Sequence, residues 1–371
     1  MKKKWLKISV VLLFMGLLSI GVRGESEVDY SALVEDAVGY ESFLEAIPEE
    51  GGILLEDVGF DLSAEAPLPS LSEVFGLCVS FLFSAFAEHL PLFSVGIVLL
   101  ILFKILSSLS YGSSRWVDAL GYLAVVSSGV YSFSVIEELL TALVSVSEQA
   151  SSFLTAALPV ILSAQSWSGS PTGAAALSMT IPPILALISF LISSLFQPLC
   201  LFCYAASLCG FTRGELTLRP LVSSVKRFCV RGVEIASGLT VGVFCVQKAA
   251  VAASDSVTRR GIRFALMRLL PMAGGVLTDG IETVYSCGRN LSGRIGVICV
   301  LVLFALFVTP CVMGLFFVFL YSLLSSLGAF FGVPLLQDFF ADIKDTFSVM
   351  TSFSVCSLVV LSTGLLMLTG G

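Results

Sequence analysis

Thiols are the most numerous residues in this sequence that could do chemistry, because the chain contains ten cysteines. Cys200, Cys203 and Cys209 form a C-x2-C-x5-C pattern that could give three thiolates to a zinc site or a redox centre. A structural zinc site normally needs four ligands, and these three thiols lie in an apolar run far from His89, the single histidine of the chain. We therefore interpret them as small packing residues and expect no metal and no other cofactor.

His89 follows Glu88, and such a pair could relay protons. An isolated histidine at the end of an apolar segment, next to Pro91, is more typical of the membrane interface. The sequence contains no P-loop, no G-x-S-x-G elbow and no H-E-x-x-H pattern. We expect a protein that is not an enzyme, has no catalytic residues, and depends on a separate ATPase if it needs energy. No patch of basic and aromatic residues indicates nucleic acid.

The richest mixture of charges lies between Lys248 and Gly296. Three carboxylates share this segment with six arginines: Asp255, Asp279 and Glu282 with Arg259, Arg260, Arg263, Arg268, Arg289 and Arg294. Ser254 and Asp255 could cap an Arg-rich amphipathic helix, and Pro271 with Gly274 and Gly275 predicts a break after it. Two interpretations remain open. The segment is a broken helix at membrane depth whose Arg–carboxylate pairs line or gate a path, or an interfacial helix whose arginines meet lipid phosphates.

The composition shows what must position these charges. Hydrophobic residues make up 56% of the 371 residues and charged residues only 13%, which excludes an ordinary soluble enzyme. Uncharged runs of 64, 43 and 26 residues follow Glu148, Arg294 and Asp345. A crossing needs about 20 apolar residues, and a segment in lipid must satisfy its own backbone hydrogen bonds. The sequence therefore predicts an all-α polytopic membrane protein with about six to eight transmembrane helices, some of them kinked or re-entrant.

The chain divides into three parts. Residues 1–24, with four lysines before an apolar core, predict a signal peptide cleaved after Gly24, although an uncleaved anchor is the alternative. Residues 25–73 hold 14 of the 27 acidic residues and no lysine or arginine, and they follow a positive N-terminus that stays inside. We expect this exported acidic segment to be a solvated tether rather than a docking surface for a basic partner. Residues 74–371 form the helical transmembrane domain.

Within that domain, the predicted spans are separated by turns and charges. They are 92–109, 117–136, 151–164, 174–196, 199–211, 296–320 and 349–368. Lys104 and Arg115 mark a cytosolic turn after the first span. Residues 165–173 predict a turn, and Pro182 with Pro183 predicts a kink or break. The acidic loop around Asp342 suits the exported side.

Two basic blocks in the segment 213–294 flank one apolar stretch, residues 235–253. The positive-inside rule puts both blocks in the cytosol, so we favour a re-entrant or bundle-packed stretch over a plain crossing in which one block violates the rule. Gly238 and Gly242 have the small-xxx-small spacing that predicts close helix packing there.

The same region resembles the stage III sporulation protein AE family of endospore-forming bacteria. The resembling elements are Gly238 with Gly242, Asp255 with Val257 and Thr258, Phe264, Pro271 with Gly274, Asp279 with Thr283 and Val284, and Gly293 with Gly296. Residues 151–166 and the triplet 197–199 resemble further family elements. Ser256 departs from the glycine that the family pattern leads us to expect.

This resemblance implies a multi-pass protein of the mother-cell membrane around the forespore. It implies a permease-like or export-gate-like subunit of the stage III sporulation A assembly, a secretion-like channel needed for forespore development after engulfment. The implied partners are the lipid bilayer, the other subunits of that assembly and its ATPase, with homo-oligomers left open. A stand-alone small-molecule transporter is the alternative.

Overall fold

The fold of this chain is described by a computed structural model in which residues 38–49, 52–53, 76, 91, 93–108, 114–212, 219–269 and 274–369 are placed. The side chains of 114–118, 212, 219, 258–259, 262–263, 265–269, 274–284 and 367–369 are outside this description. The signal peptide, His89, Pro271 and most of the acidic segment also fall outside it. The described residues are helical and contain no strand, which confirms the all-α prediction.

Eight helices account for nearly all of the described residues. They are α1 (Tyr40–Glu45), α2 (Phe93–Ser108), α3 (Ser114–Trp167), α4 (Pro171–Phe190), α5 (Gln197–Thr212), α6 (Arg219–Leu269), α7 (Gly274–Phe330) and α8 (Pro334–Thr369). A six-residue π-helix, Leu191–Phe196, joins α4 to α5 without a turn.

Five of the described helical stretches are long and apolar enough to cross a membrane. They are Ala119–Trp167, Pro171–Phe211, Pro220–Val257, Tyr285–Phe330 and Pro334–Leu366, and the shorter apolar helix Phe93–Ser108 accompanies them. The first has 49 residues, or about 74 Å at 1.5 Å per residue. That is more than twice the ~30 Å hydrocarbon core of a bilayer. Two pairs of predicted spans, 117–136 with 151–164 and 174–196 with 199–211, therefore lie within two continuous helical stretches.

The described helices alternate in direction along one bundle. We call one end the Asp255 end, where α3 stops at Trp167 and α4 starts at Pro171, and the other the Lys226 end, where α7 stops at Phe330 and α8 starts at Pro334. A buried core at the Asp255 end contains Phe153, Leu177, Ile295 and Leu361. A second core towards the Lys226 end contains Leu100, Ile136, Tyr204, Tyr321 and Phe347.

The prolines of α4 do not end the helix. Pro182 and Pro183 lie inside α4, and the departure from α-helical geometry comes only at the π-helix that starts at Leu191. A π-turn changes which side chains face a neighbour without a reversal of the chain. The expected break at the proline pair is therefore absent, and the irregular turn lies about two helical turns later.

Helix α6 corrects the expectation of a re-entrant stretch. Residues 219–269 form one helix, whereas a re-entrant segment needs a chain reversal. Lys226, in the first basic block, and Asp255, just before the second, are separated by 29 residues of this helix, or about 44 Å. The two blocks thus lie towards opposite ends of the bundle. Because α6 continues through Ser254 and Asp255, these residues do not cap a helix of their own.

Part of the acidic segment is docked on the bundle. Phe43 of α1 is fully buried, and its ring centroid lies 6.1 Å from that of Phe153 in α3. The Ser163 hydroxyl donates a hydrogen bond of 3.2 Å to the Val38 carbonyl. Residues 38–47 are therefore anchored by apolar packing, and the expectation of a solvated tether does not hold for this part of the segment.

Candidate functional site at the α3–α4 turn

The turn between α3 and α4 is tight because it uses a left-handed glycine. Gly169 has φ of 75°, a conformation that glycine adopts without the steric cost of a Cβ. The Ser168 hydroxyl donates to the Gln165 carbonyl at 2.7 Å, and the Ser170 backbone N–H donates to the same carbonyl at 3.2 Å. These bonds satisfy a carbonyl that the end of α3 would otherwise leave without a partner.

The side chain of Asp255 in α6 contacts this turn. Its side chain is buried, with 1% of the residue exposed. The Ser170 hydroxyl donates to one carboxylate oxygen and the Thr172 hydroxyl to the other. A buried carboxylate without hydrogen-bond partners would be costly, so these two hydroxyls are what allows the charge to stay in the bundle.

The same carboxylate stands at the start of a helix. Ser170 is the N-cap residue of α4 and Pro171 occupies the first helical position. The N-terminus of a helix carries a partial positive charge, which favours an anion at this place. Asp255 therefore stabilises the N-terminus of a neighbouring helix, 83 residues away from Thr172 in the sequence.

Glycines let the neighbouring backbones approach the turn. A Cβ at Gly288 of α7 would lie 2.6 Å from the carbonyl carbon and oxygen of Trp167. A Cβ at Gly173 would lie 2.6 Å from Oε1 of Gln165 and 3.3 Å from a methyl carbon of Val251. Such distances are shorter than contacts in packed interiors. The atoms at Gly288 belong to the backbone, so only glycine fits there, whereas a Cβ at Gly173 would require the Gln165 side chain to move. We call Asp255, Ser170, Thr172, Gly173 and Gly288 the Asp255 cluster.

A second polar contact joins the same pair of helices further along. The Gln247 amide of α6 donates 2.8 Å to the Thr180 hydroxyl of α4, which itself donates to the Ala176 carbonyl at 2.6 Å. Gln247 lies eight residues, or about two turns, before Asp255. The α4–α6 contact therefore carries polar groups at two levels within candidate membrane spans.

The predicted site residues divide sharply. Asp255 is buried at the cluster, Arg260 and Arg294 are exposed, and Gly296 is buried. Gly274 and Gly275 begin α7, and Asp279 and Glu282 lie in its first turns, without described side-chain contacts; the same holds for Arg259 and Arg263 of α6. The chain between Leu269 and Gly274, where Pro271 predicts a break, is outside the described residues.

The packing expected at Gly238 and Gly242 is wrong for contacts within this chain. A Cβ at either position would have no atom within 4 Å, and the same holds for Gly293. Only 6% of the most apolar window of the α6 span is buried, whereas 83% of the corresponding window of the α7 span is buried. Close glycine contacts lie elsewhere in the bundle, among them those at the turn, at Gly288 and at Gly364, where a Cβ would lie 2.5 Å from the ring of Phe244 in α6.

Arg–carboxylate pairing does not explain the described contacts of Asp255. Its described hydrogen bonds come from the hydroxyls of Ser170 and Thr172. Lys226 of the first basic block is buried, and its Nζ donates a hydrogen bond of 2.8 Å to the Asp342 carbonyl.

The cysteine pattern shows no ligand geometry in the described part of the chain. Cys200 and Cys203 are buried in apolar clusters, whereas Cys209 is exposed. No group of three or more His, Cys, Asp or Glu residues among the described positions could hold a metal ion. This arrangement agrees with the interpretation of Cys200 and Cys203 as packing residues.

Sequence reasoning missed the hydroxyls that hold Asp255. Ser170, Pro171 and Thr172 have the signature of a helix start, an N-cap serine followed by proline at the first position. That signature identifies a helix N-terminus that attracts an anion. It does not identify which distant carboxylate arrives there.

Comparison with known proteins identifies related chains. A family model described as Stage III sporulation protein AE matches residues 61–369. The chain is also similar to Stage III sporulation protein AE of Bacillus subtilis (strain 168), with 24% identity over 176 residues, 47% of this chain and 44% of that protein. The match thus spans less than half of the length of this relative. No solved structure matches the chain.

Proposed function

Since the chain belongs to the stage III sporulation protein AE family, a family of sporulation proteins, we propose that it is a permease-like or export-gate-like subunit of the mother-cell sporulation channel complex. In this proposal it lies in the mother-cell membrane around the forespore and supports forespore development after engulfment. It acts with the other subunits of the stage III sporulation A assembly and draws energy from the ATPase of that assembly. It has no catalytic role of its own.

The Asp255 cluster is the observation that supports a gate rather than a passive anchor. Asp255 lies two residues before the end of the candidate span Pro220–Val257, yet only 1% of it is exposed. A buried carboxylate in a membrane protein is costly, and such groups usually mark an ion or substrate path or a moving contact. Among the described side chains, the hydroxyls of Ser170 and Thr172 hold this carboxylate, and their hydrogen bonds join the start of α4 to α6.

The α4–α6 contact has the features of an interface that can move. The second polar contact, Gln247 to Thr180, joins the same helices, and the apolar window of the α6 span is the least buried of the five. Helix α6 also packs on α8, where a Cβ at Gly364 would lie 2.5 Å from the Phe244 ring, but it places few side chains in the buried cores. Its displacement from α4 therefore exposes less apolar surface than displacement of α7 would. We propose that displacement of α6 from α4 at the Asp255 cluster opens the path.

Purification from sporulating cells tests the proposed role in a complex. The tagged full chain, extracted in mild detergent, should retain other subunits of the assembly together with its ATPase. A matched purification of an unrelated tagged multi-pass protein is the control. Recovery of the chain without any of these subunits, together with solute flux by the purified chain alone in liposomes, would favour the stand-alone transporter instead.

A further inference from the structure

The N-terminal acidic segment packs on the bundle at the Asp255 end. This contact indicates which end of the bundle lies on the exported side of the membrane. We infer that the Asp255 end of the bundle lies on the exported side of the membrane and the Lys226 end on the cytosolic side. The inference concerns orientation and is independent of the proposed gating role.

The docked part of the acidic segment carries the first step. Residues 25–73 follow the positively charged N-terminus, which stays in the cytosol, so the segment is exported. Its described part packs through Phe43 on Phe153 and through the Val38 carbonyl on Ser163. Ser163 lies four residues before the end of α3, at the Asp255 end. Val38, Tyr40 and Phe43 belong to the core of that end.

The charges that flank α2 carry the second step. Lys104 lies near the end of α2, and a Cβ at Gly332, in the α7–α8 turn, would lie 3.7 Å from its Nζ. A Cβ at Gly121, near the start of α3, would lie 3.4 Å from the ring of Phe103. The end of α2 is therefore at the Lys226 end. By the positive-inside rule, Lys104 and Arg115 mark a cytosolic turn. These two residues therefore also place the Lys226 end on the cytosolic side.

The orientation divides the two basic blocks. The first block, with Lys226, lies on the cytosolic side, where arginine and lysine are favoured. The second block lies on the exported side, and its described side chains Arg260, Arg289 and Arg294 are exposed there. Asp342 lies within helix α8 and not in the acidic loop that the sequence predicts, and its carbonyl accepts a hydrogen bond from Lys226. The orientation therefore places Asp342 on the cytosolic side, contrary to the exported position that its acidity suggested.

The Asp255 cluster joins the second basic block to this end of the bundle. Asp255 of α6 accepts a hydrogen bond from Ser170 at the start of α4, five residues before Arg260. The α3–α4 turn and the exposed arginines are then reached from the exported compartment. Any partner that binds them must present its surface in that compartment.

Single-cysteine labelling of the full chain tests the orientation. In a background in which the native cysteines are replaced, Ser42→Cys reports the docked segment, Arg289→Cys the Asp255 end and Ser223→Cys the Lys226 end; all three positions are exposed. The variants are produced in non-sporulating cells, in which the exported side of the chain faces the cell exterior, and a membrane-impermeant maleimide is applied to intact protoplasts and, separately, to permeabilised ones. Asn290→Cys, also exposed, replaces Arg289→Cys if that variant does not accumulate.

We expect Ser42→Cys and Arg289→Cys to react in intact protoplasts and Ser223→Cys to react only after permeabilisation, with at least a tenfold difference in labelling. Every other pattern overturns the inference. In particular, reaction of Ser42→Cys and Arg289→Cys from opposite sides contradicts the docking.

Discussion

Replacement of Asp255 should destabilise the bundle, and alanine should cost more than asparagine. Asp255→Ala removes both acceptors from Ser170 and Thr172, which lie in a partly buried turn. Each hydroxyl without a partner costs about 1–2 kcal/mol there, and loss of the charge at the start of α4 adds up to about 1 kcal/mol. We therefore expect Asp255→Ala to lower the free energy of unfolding by about 2–5 kcal/mol. Asp255→Asn should cost only about 1 kcal/mol, because the amide can still exchange hydrogen bonds with both hydroxyls.

The assay is unfolding of the purified full chain by SDS titration in mixed micelles, followed by circular dichroism. Asp345→Asn is the matched control, because the Asp345 side chain is 61% exposed and contacts Lys344 at 3.7 Å. An exposed pair of this kind contributes between about 0 and 1 kcal/mol. The reasoning is refuted if Asp255→Ala unfolds within 0.5 kcal/mol of the unaltered chain, a threshold of about the size expected for surface changes. It is also refuted if Asp255→Asn costs as much as Asp255→Ala.

Three further predictions concern the packing around the turn and the docked segment. Gly288→Leu should prevent the close approach of α7 to Trp167 and cost more than about 3 kcal/mol, whereas Gly293→Leu, with open space around its Cβ, should stay within about 1 kcal/mol in the same titration. Gly169→Ala, at φ of 75°, should cost about 1 kcal/mol and show as an earlier unfolding midpoint; an unchanged midpoint would contradict the turn geometry. Phe43→Ala should release the docked segment, so that limited proteolysis cuts within residues 38–49 at least tenfold faster while the bundle keeps its unfolding midpoint. Equal cleavage rates would argue against the docking.

The helical architecture could be predicted because it depends on local composition. Long uncharged runs require helices in lipid, and the turn at Gly169 follows from the glycine and proline residues between two apolar runs. The number of separate helices was harder to predict. A polar residue such as Glu148 can remain inside a helix that is longer than the bilayer is thick, so charges did not mark the helix ends.

The site was predictable in part. The sequence indicates Asp255 as a candidate because it could cap a helix with Ser254 and could pair with the arginines that follow it. Its role was not predictable, since the partners Ser170 and Thr172 lie more than 80 residues earlier and their approach depends on the packing of α4 against α6. Sequence reasoning looked for arginines near in the chain, but the described bonds come from hydroxyls.

The glycine spacing was misleading for a related reason. The spacing of Gly238 and Gly242 shows that one face of α6 is narrow, but it does not say whether another helix of the same chain covers that face. Gly288 has no such partner at the fourth position, yet its contact with the Trp167 backbone is the closer one. Close approach at a single glycine depends on where the neighbouring backbone turns, and that is a property of the tertiary structure.

The central claim is that this membrane protein supports the forespore after engulfment. The most direct measurement is the titre of heat-resistant spores, with a late forespore-specific reporter, in cells that lack the chain and in cells complemented with the unaltered chain. We predict that the deleted cells complete engulfment, lose the late reporter signal and form at least a thousandfold fewer heat-resistant spores, and that complementation restores both. Equal spore titres and equal reporter signals in deleted and complemented cells would contradict it.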